Sequence, residues 1–212
     1  MQATRIIAVR HGETAWNVDT RIQGHLDIPL NRAGRVQARK LGLALAGQAV
    51  NAIYSSDLLR AHETAQAVSA TTGVAVVTDQ GLRERSFGAF EGKTFAELEV
   101  ELPEQSLRWR KRDPDFAPEG GESLLQLRER VLHTAHLLAA RHTGELIVLV
   151  AHGGVLDVLH RAATGQGLQA PRTWQLGNAA INRLLWTGEA LTLVGWSDTA
   201  HLEDESIDET HT

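Results

Sequence analysis

Two apolar runs far apart in this chain, Ile6-Ile7-Ala8-Val9 and Leu146-Ile147-Val148-Leu149-Val150-Ala151, both lead into a histidine followed by glycine, in Arg10-His11-Gly12 and His152-Gly153-Gly154. Runs this short and uniformly apolar read as strands buried on both faces, the pattern of a parallel sheet covered by helices. Ligands of such sheets bind beyond the carboxyl ends of the strands. Both histidines are therefore expected at that end, facing one another, with Arg10 beside them.

Further strand candidates are Ala52 to Ser55, Val74 to Val77, Ile181 to Trp186 and Leu191 to Trp196, with the first strand starting at Arg5. Helical patterns lie between most of them: Leu58, Ala61, Ala65 and Val68 share one face, as do Leu124, Leu127, Val131, Ala135 and Leu138. Asn31 is a candidate N-cap for a helix running to about Ala46. The fold class that follows is α/β, a three-layer sandwich with a mostly parallel, mixed sheet and helices on both faces. Thr187-Gly188-Glu189-Ala190 reads as a hairpin turn, which predicts one antiparallel edge strand. Residues from about 81 to 121 interrupt the alternation with Pro103, Pro114 and Pro118 and one short helix from Thr94 to Glu101, an excursion expected to roof the site. The expected division is a single domain over 1–200 followed by a flexible acidic tail over 201–212.

That tail explains the charge: the net charge of -5 is matched by Glu203, Asp204, Glu205, Asp208 and Glu209. A pI of about 6.0 and one short basic cluster, Arg108 to Arg112, give no nucleic-acid surface. No run approaches the roughly 18 apolar residues of a membrane span. There is no cysteine, which excludes disulfides and thiolate metal sites. A cytoplasmic protein acting on a small molecule, without nucleic-acid or membrane partners, is the expectation; a homodimer is compatible with it.

The segment Ser55-Ser56-Asp57-Leu58-Leu59-Arg60 makes a third strand-to-helix junction, with Arg60 in the helix's first turn. Arg10 and Arg60 together would clamp a phosphate dianion through charge-assisted hydrogen bonds, aided by helix N-terminal amides. A neutral imidazole can attack phosphorus, which makes His11 the candidate nucleophile. Glu84, in Leu82-Arg83-Glu84-Arg85-Ser86-Phe87-Gly88, is the candidate general acid, returning as base for the attacking water. His152 would stabilise charge on a nonbridging oxygen.

At this point the chain resembles the histidine phosphatase superfamily, the phosphoglycerate mutase-like group, in its compact, cofactor-independent phosphatase branch. The likeness rests on Arg10 to Asn17, Arg21-Ile22-Gln23-Gly24, Ser55 to Ala65, Glu84 to Gly92, Gly120 to Ser123, and Ala151 to Gly154, in the family's order over about residues 4 to 196. The resemblance implies a six-stranded mixed sheet, a phosphohistidine on His11, no cofactor and no metal. It also implies a substrate-binding set of Arg10, His11, Asn17, Gln23, Gly24, Arg60, Glu84, His152 and Gly153. Members that act as mutases carry a tyrosine where Phe87 stands and a lysine where Phe95 stands. Hydrolysis of small sugar or acid phosphates is therefore expected, with interconversion of 2- and 3-phosphoglycerate as the alternative.

A zinc site of His11, His152 and Glu84 lacks paired ligand spacing and faces two arginines. A degenerate module that only binds phosphorylated ligands conflicts with the complete catalytic set. Arg85 is expected as a surface ion-pair partner, and His25, His62, His133, His136, His142, His160, His201 and His211 on solvated faces or helix flanks. Arg108 to Arg112 is either a solvated face or a source of contacts to a second anionic group. Asn178, Asn182 and Arg183 are expected to brace the turn into the hairpin.

Overall fold

A computed structural model describes residues 2–203. Asp204, Glu205, Asp208, Glu209 and His211 lie outside the described residues. The chain runs β1 (Thr4–Arg10), α1 (Ala15–Val18), α2 (Arg32–Leu45), β2 (Ala52–Ser55), α3 (Leu59–Thr72), β3 (Val76–Thr78), α4 (Phe95–Glu101), α5 (Pro103–Arg110), α6 (Leu124–Ala140), β4 (Leu146–Ala151), α7 (Gly153–Thr164), β5 (Ile181–Trp186) and β6 (Leu191–Asp198).

The six strands form one sheet in the order β3-β2-β4-β1-β5-β6. β1 and β4 are its central parallel pair, in register from Arg5 opposite Leu146 to Arg10 opposite Ala151. Alternation along the strands splits the core in two. Ile7, Val9, Ile53, Val148 and Val150 meet Leu41 and Leu45 of α2 and Ala61, Ala65 and Val68 of α3. Ile6, Ala8, Ile147 and Leu149 meet Leu127, Val131 and Leu138 of α6 and Val155, Leu156 and Leu159 of α7. The sheet is thus mixed and covered by helices on both faces, as its alternating sequence predicts.

Three details differ from the sequence reading. The antiparallel strand is β5, which pairs with β1 and lies one place in from the edge; β6 forms the edge by pairing with β5. β3 begins at Val76, two residues later than its apolar run suggests. The excursion holds two helices, because Pro103 stands in the first turn of α5, where its missing N–H leaves no hydrogen bond unmade. Beyond β6, Ala200–Leu202 form a 3-10 turn. Lys40 Nζ of α2 donates to Leu202 O and Glu203 O, so the first residues assigned to the acidic tail lie against a helix.

Candidate active site

Because β1 and β4 are neighbours in register, the residues that follow them emerge side by side. The His11 amide donates to Ala151 O across the pair, and the His11 and His152 ring centroids are 5.2 Å apart. Both rings are buried. Burial, with Arg10 and Arg60 nearby, holds His11 well below the usual histidine range. Burial, Arg60 and His11 do the same to His152. Both rings are therefore neutral at pH 7. His11 Nδ1 lies 2.7 Å from Gly12 O, and a carbonyl only accepts. The proton of the neutral ring is on Nδ1, and Nε2 keeps its lone pair.

The cationic side chains are held from behind. Arg10 Nη1 donates to Leu176 O at 2.6 Å. Arg60 donates through Nη1 to Leu26 O and through Nη2 to Gly24 O. Burial lowers the pKa of both guanidiniums, that of Arg60 to about 10, so both stay charged at neutral pH. Arg10 Nε, Arg60 Nε and both ring nitrogens of His152 are buried without a hydrogen-bond partner. Each such group costs about 1–3 kcal/mol when left unmatched. An anion with several acceptor oxygens is the kind of ligand that would satisfy their donors.

Glu84 reaches the same place from the segment before α4. Its Oε1 accepts from the Arg85 amide at 2.8 Å, and the carboxylate accepts from the Gly154 amide in the first turn of α7. A Cβ at position 154 would overlap Glu84 Oε1, so glycine there permits the approach. The Glu84 carbonyl accepts from His25 Nε2 and from Arg130 Nη2. Arg130 of α6 also donates to Gly81 O and Arg83 O, fixing the backbone that carries the carboxylate. Gly153 opens α7 next to the Arg10 guanidinium and Glu84 Oε2, with its amide at the helix N-terminus.

The remaining members of the expected set come from the segment that follows β1. Asn17 closes a capping box with Thr14, its Oδ1 accepting from the Thr14 amide. Gln23 Oε1 lies 3.0 Å from the Thr14 hydroxyl, which turns the amide nitrogen away from that contact. Gly24 has φ +51°, and a side chain there would overlap Glu91. Asn178, expected to brace the hairpin turn, donates to His11 O at 2.8 Å and so supports the backbone of the site directly.

Several single-residue expectations are overturned. Arg85 is buried, donating to Glu122 O and Phe116 O with its guanidinium over the Trp109 ring. An aromatic cluster of Phe87, Phe90, Phe95 and Trp109, invisible as a cluster in the sequence, accounts for this. His160 is buried and stacked on Trp174, and His25 is tied to the Glu84 segment. The arginines of the basic cluster are neutralised individually: Arg108 by Asp113, Arg110 by Glu99 and Arg112 by Asp157. Among the described residues, no three His, Cys, Asp or Glu side chains are grouped so as to hold a metal ion, and no helix is long and apolar enough to cross a membrane.

A sequence profile of the histidine phosphatase superfamily (branch 1) matches residues 6–199. Phosphoglycerate mutase-like protein 4 of Arabidopsis thaliana is 40% identical over 204 residues, covering 94% of this chain and 87% of that protein. The metal-independent phosphoserine phosphatase of the same plant is 35% identical over 204 residues, covering 95% of this chain and 84% of that one. The solved structure of Bacillus stearothermophilus YhfR superposes with a TM-score of 0.87 at 32% identity, covering 95% of this chain and all of that one. With two neutral histidines on adjacent strand ends and two arginines beside them, Arg60 buried and Arg10 half-buried, the matched segments include the site itself, and the chain belongs to the histidine phosphatase superfamily, branch 1.

Proposed function

We propose that this protein is a phosphomonoesterase that hydrolyses small phosphorylated sugars or acids through a phosphohistidine on His11. The observation that carries the reading is the state of His11: neutral, with Nδ1 donating to Gly12 O, so that Nε2 is free to attack. The substrate phosphate would take hydrogen bonds from Arg10, Arg60, the His152 ring and the Gly153 amide, with Asn17, Gln23 and Gly24 along one side.

Attack by Nε2 forms the N–P bond as the ester P–O bond breaks, and Glu84 gives its proton to the leaving oxygen. In the second half-reaction a water attacks phosphorus, Glu84 takes its proton, and the N–P bond breaks to release phosphate and regenerate His11. The arginines supply fixed positive charge, and the neutral His152 ring supplies a donor, as charge spreads over the nonbridging oxygens. No step calls on a metal, and a cytoplasmic setting fits substrates of this kind.

A mutase would have to shield the intermediate from water and hold a phosphorylated acid in two orientations. Phe87 and Phe95 both turn to the Trp109 ring, at centroid distances of 4.9 and 6.0 Å. Neither offers a hydroxyl or an ammonium to such an acid, which favours hydrolysis. The test is a panel of phosphorylated sugars and acids assayed for free phosphate and for isomerised product, with and without 2,3-bisphosphoglycerate and with chelator present. Phosphate release exceeding isomerisation is the expected result. Bisphosphate-dependent isomerisation faster than phosphate release would overturn the reading, and dependence on a chelatable metal would overturn the mechanism.

A further inference from the structure

The segment between α7 and β5 is built as a platform against the site. Leu176 O holds the Arg10 guanidinium, and Gln175 O accepts from Trp196 Nε1. One residue earlier, the Trp174 ring stacks on His160 at 3.9 Å with 17° between planes, and the Arg161 guanidinium lies over the same ring. The other end is fixed as well, with Gly167 O and Leu168 O accepting from Arg161 and Arg112. Arg161 and Arg112 are in turn joined through Asp157. The backbone on either side of residue 172 is thus pinned to α7, to β6 and to Arg10 itself.

Arg172 stands on this pinned segment, exposed, and makes no hydrogen bond or ion pair among the described residues. It lies within electrostatic reach of Arg10 and of Arg112 and opposes the protonation of both. The arginines of the excursion are committed elsewhere, with Arg108, Arg110 and Arg112 on carboxylates and Arg85 on carbonyls and Trp109. Arg172 is therefore an uncommitted guanidinium adjoining the phosphate-facing Arg10. Glu84 offsets the positive charge at Arg10 and Asp157 that at Arg112, whereas Arg172 has no carboxylate partner among the described residues, and an anion bridging it and Arg10 would supply one.

We infer that Arg172 is a specificity-determining residue that receives a second anionic group, a carboxylate or a further phosphate, on the phosphomonoester substrate. This rests on the phosphomonoesterase reading and adds to it the charge class of the substrate. Arg10 holds the phosphate to be transferred, and Arg172 holds the distal anion through its fork of donors.

Two matched pairs of substrates test the inference: 3-phosphoglycerate against glycerol 3-phosphate, and a hexose 1,6-bisphosphate against the hexose 6-phosphate. The expected result is that the wild-type protein favours the doubly anionic member of at least one pair. In Arg172→Ala the corresponding ratio of kcat/KM values should fall about tenfold, through KM, with Arg172→Lys retaining part of it. The pair that responds identifies the distal anion as carboxylate or phosphate. Arg110→Ala, whose arginine is paired with Glu99 at the surface, should leave both ratios unchanged. Equal ratios in wild type and Arg172→Ala, or a wild-type protein indifferent to the second charge, would overturn the inference while leaving hydrolysis intact. Failure of wild type to release phosphate from any of the four substrates or from an aryl phosphate would instead count against the phosphomonoesterase reading, and the inference would fall with it.

Discussion

At the scale of single residues, burial decides what the histidines do. His11 and His152 are kept neutral in the folded state, whereas in the unfolded chain each titrates near pH 6.5. The unfolded state therefore binds more protons below that pH, and stability, fully present above it, is lost as pH falls. His136, His160 and His201 are shifted in the same direction. Thermal unfolding followed from pH 7.5 to 5.5 should show a falling Tm, with a shallower slope in His152→Asn; a flat or rising Tm would contradict the neutral pair. Glu84 makes a different kind of prediction. Glu84→Gln keeps the shape but cannot supply a proton, so turnover of alkyl phosphates should drop by about 100-fold or more, and that of aryl phosphates, whose phenolate leaves readily, by much less. Equal losses with the two substrate types would point to another acid. That Arg10, His11, Arg60 and His152 come together was legible because each sits at a strand end or in the first turn of the helix just past one. Arg85 and His160 were not, since their burial depends on Trp109 and Trp174, which approach from remote segments.

At the scale of elements, the helices that carry the site are fixed at their ends. Ser123 caps α6 with a reciprocal bond to Gln126, and seven residues further on Arg130 gathers the carbonyls of Gly81, Arg83 and Glu84. Ser123→Ala should lower stability by about 1 kcal/mol, read from denaturant unfolding, with the slope of the transition unchanged. A loss near zero would mean that the cap contributes nothing beyond water. The N-cap at Asn31 and the amphipathic faces of α3 and α6 could be read directly, because capping and periodicity are local. α5 was missed because Pro103 read as a break when it is a start. The position of β5 was missed because the sequence of a hairpin does not say which of its strands joins the sheet.

For the whole molecule, the sheet order does most to create function. Placing β1 beside β4, although 135 residues separate Thr4 from Ala139 in the bond that ties the strand's start to α6, brings two distant histidines within one phosphate's reach. Alternating apolar runs and amphipathic helices were enough to read a parallel sheet covered on both faces. They could not show how the excursion folds, since its aromatic cluster assembles from residues with no common period. The central claim is that His11 is phosphorylated during turnover, and rapid quenching with labelled substrate in the presence of chelator tests it most directly. The account predicts an acid-labile, alkali-stable adduct that maps to His11 and is absent from His11→Ala along with activity. An acid-stable adduct, or a wild-type rate in His11→Ala, would contradict it.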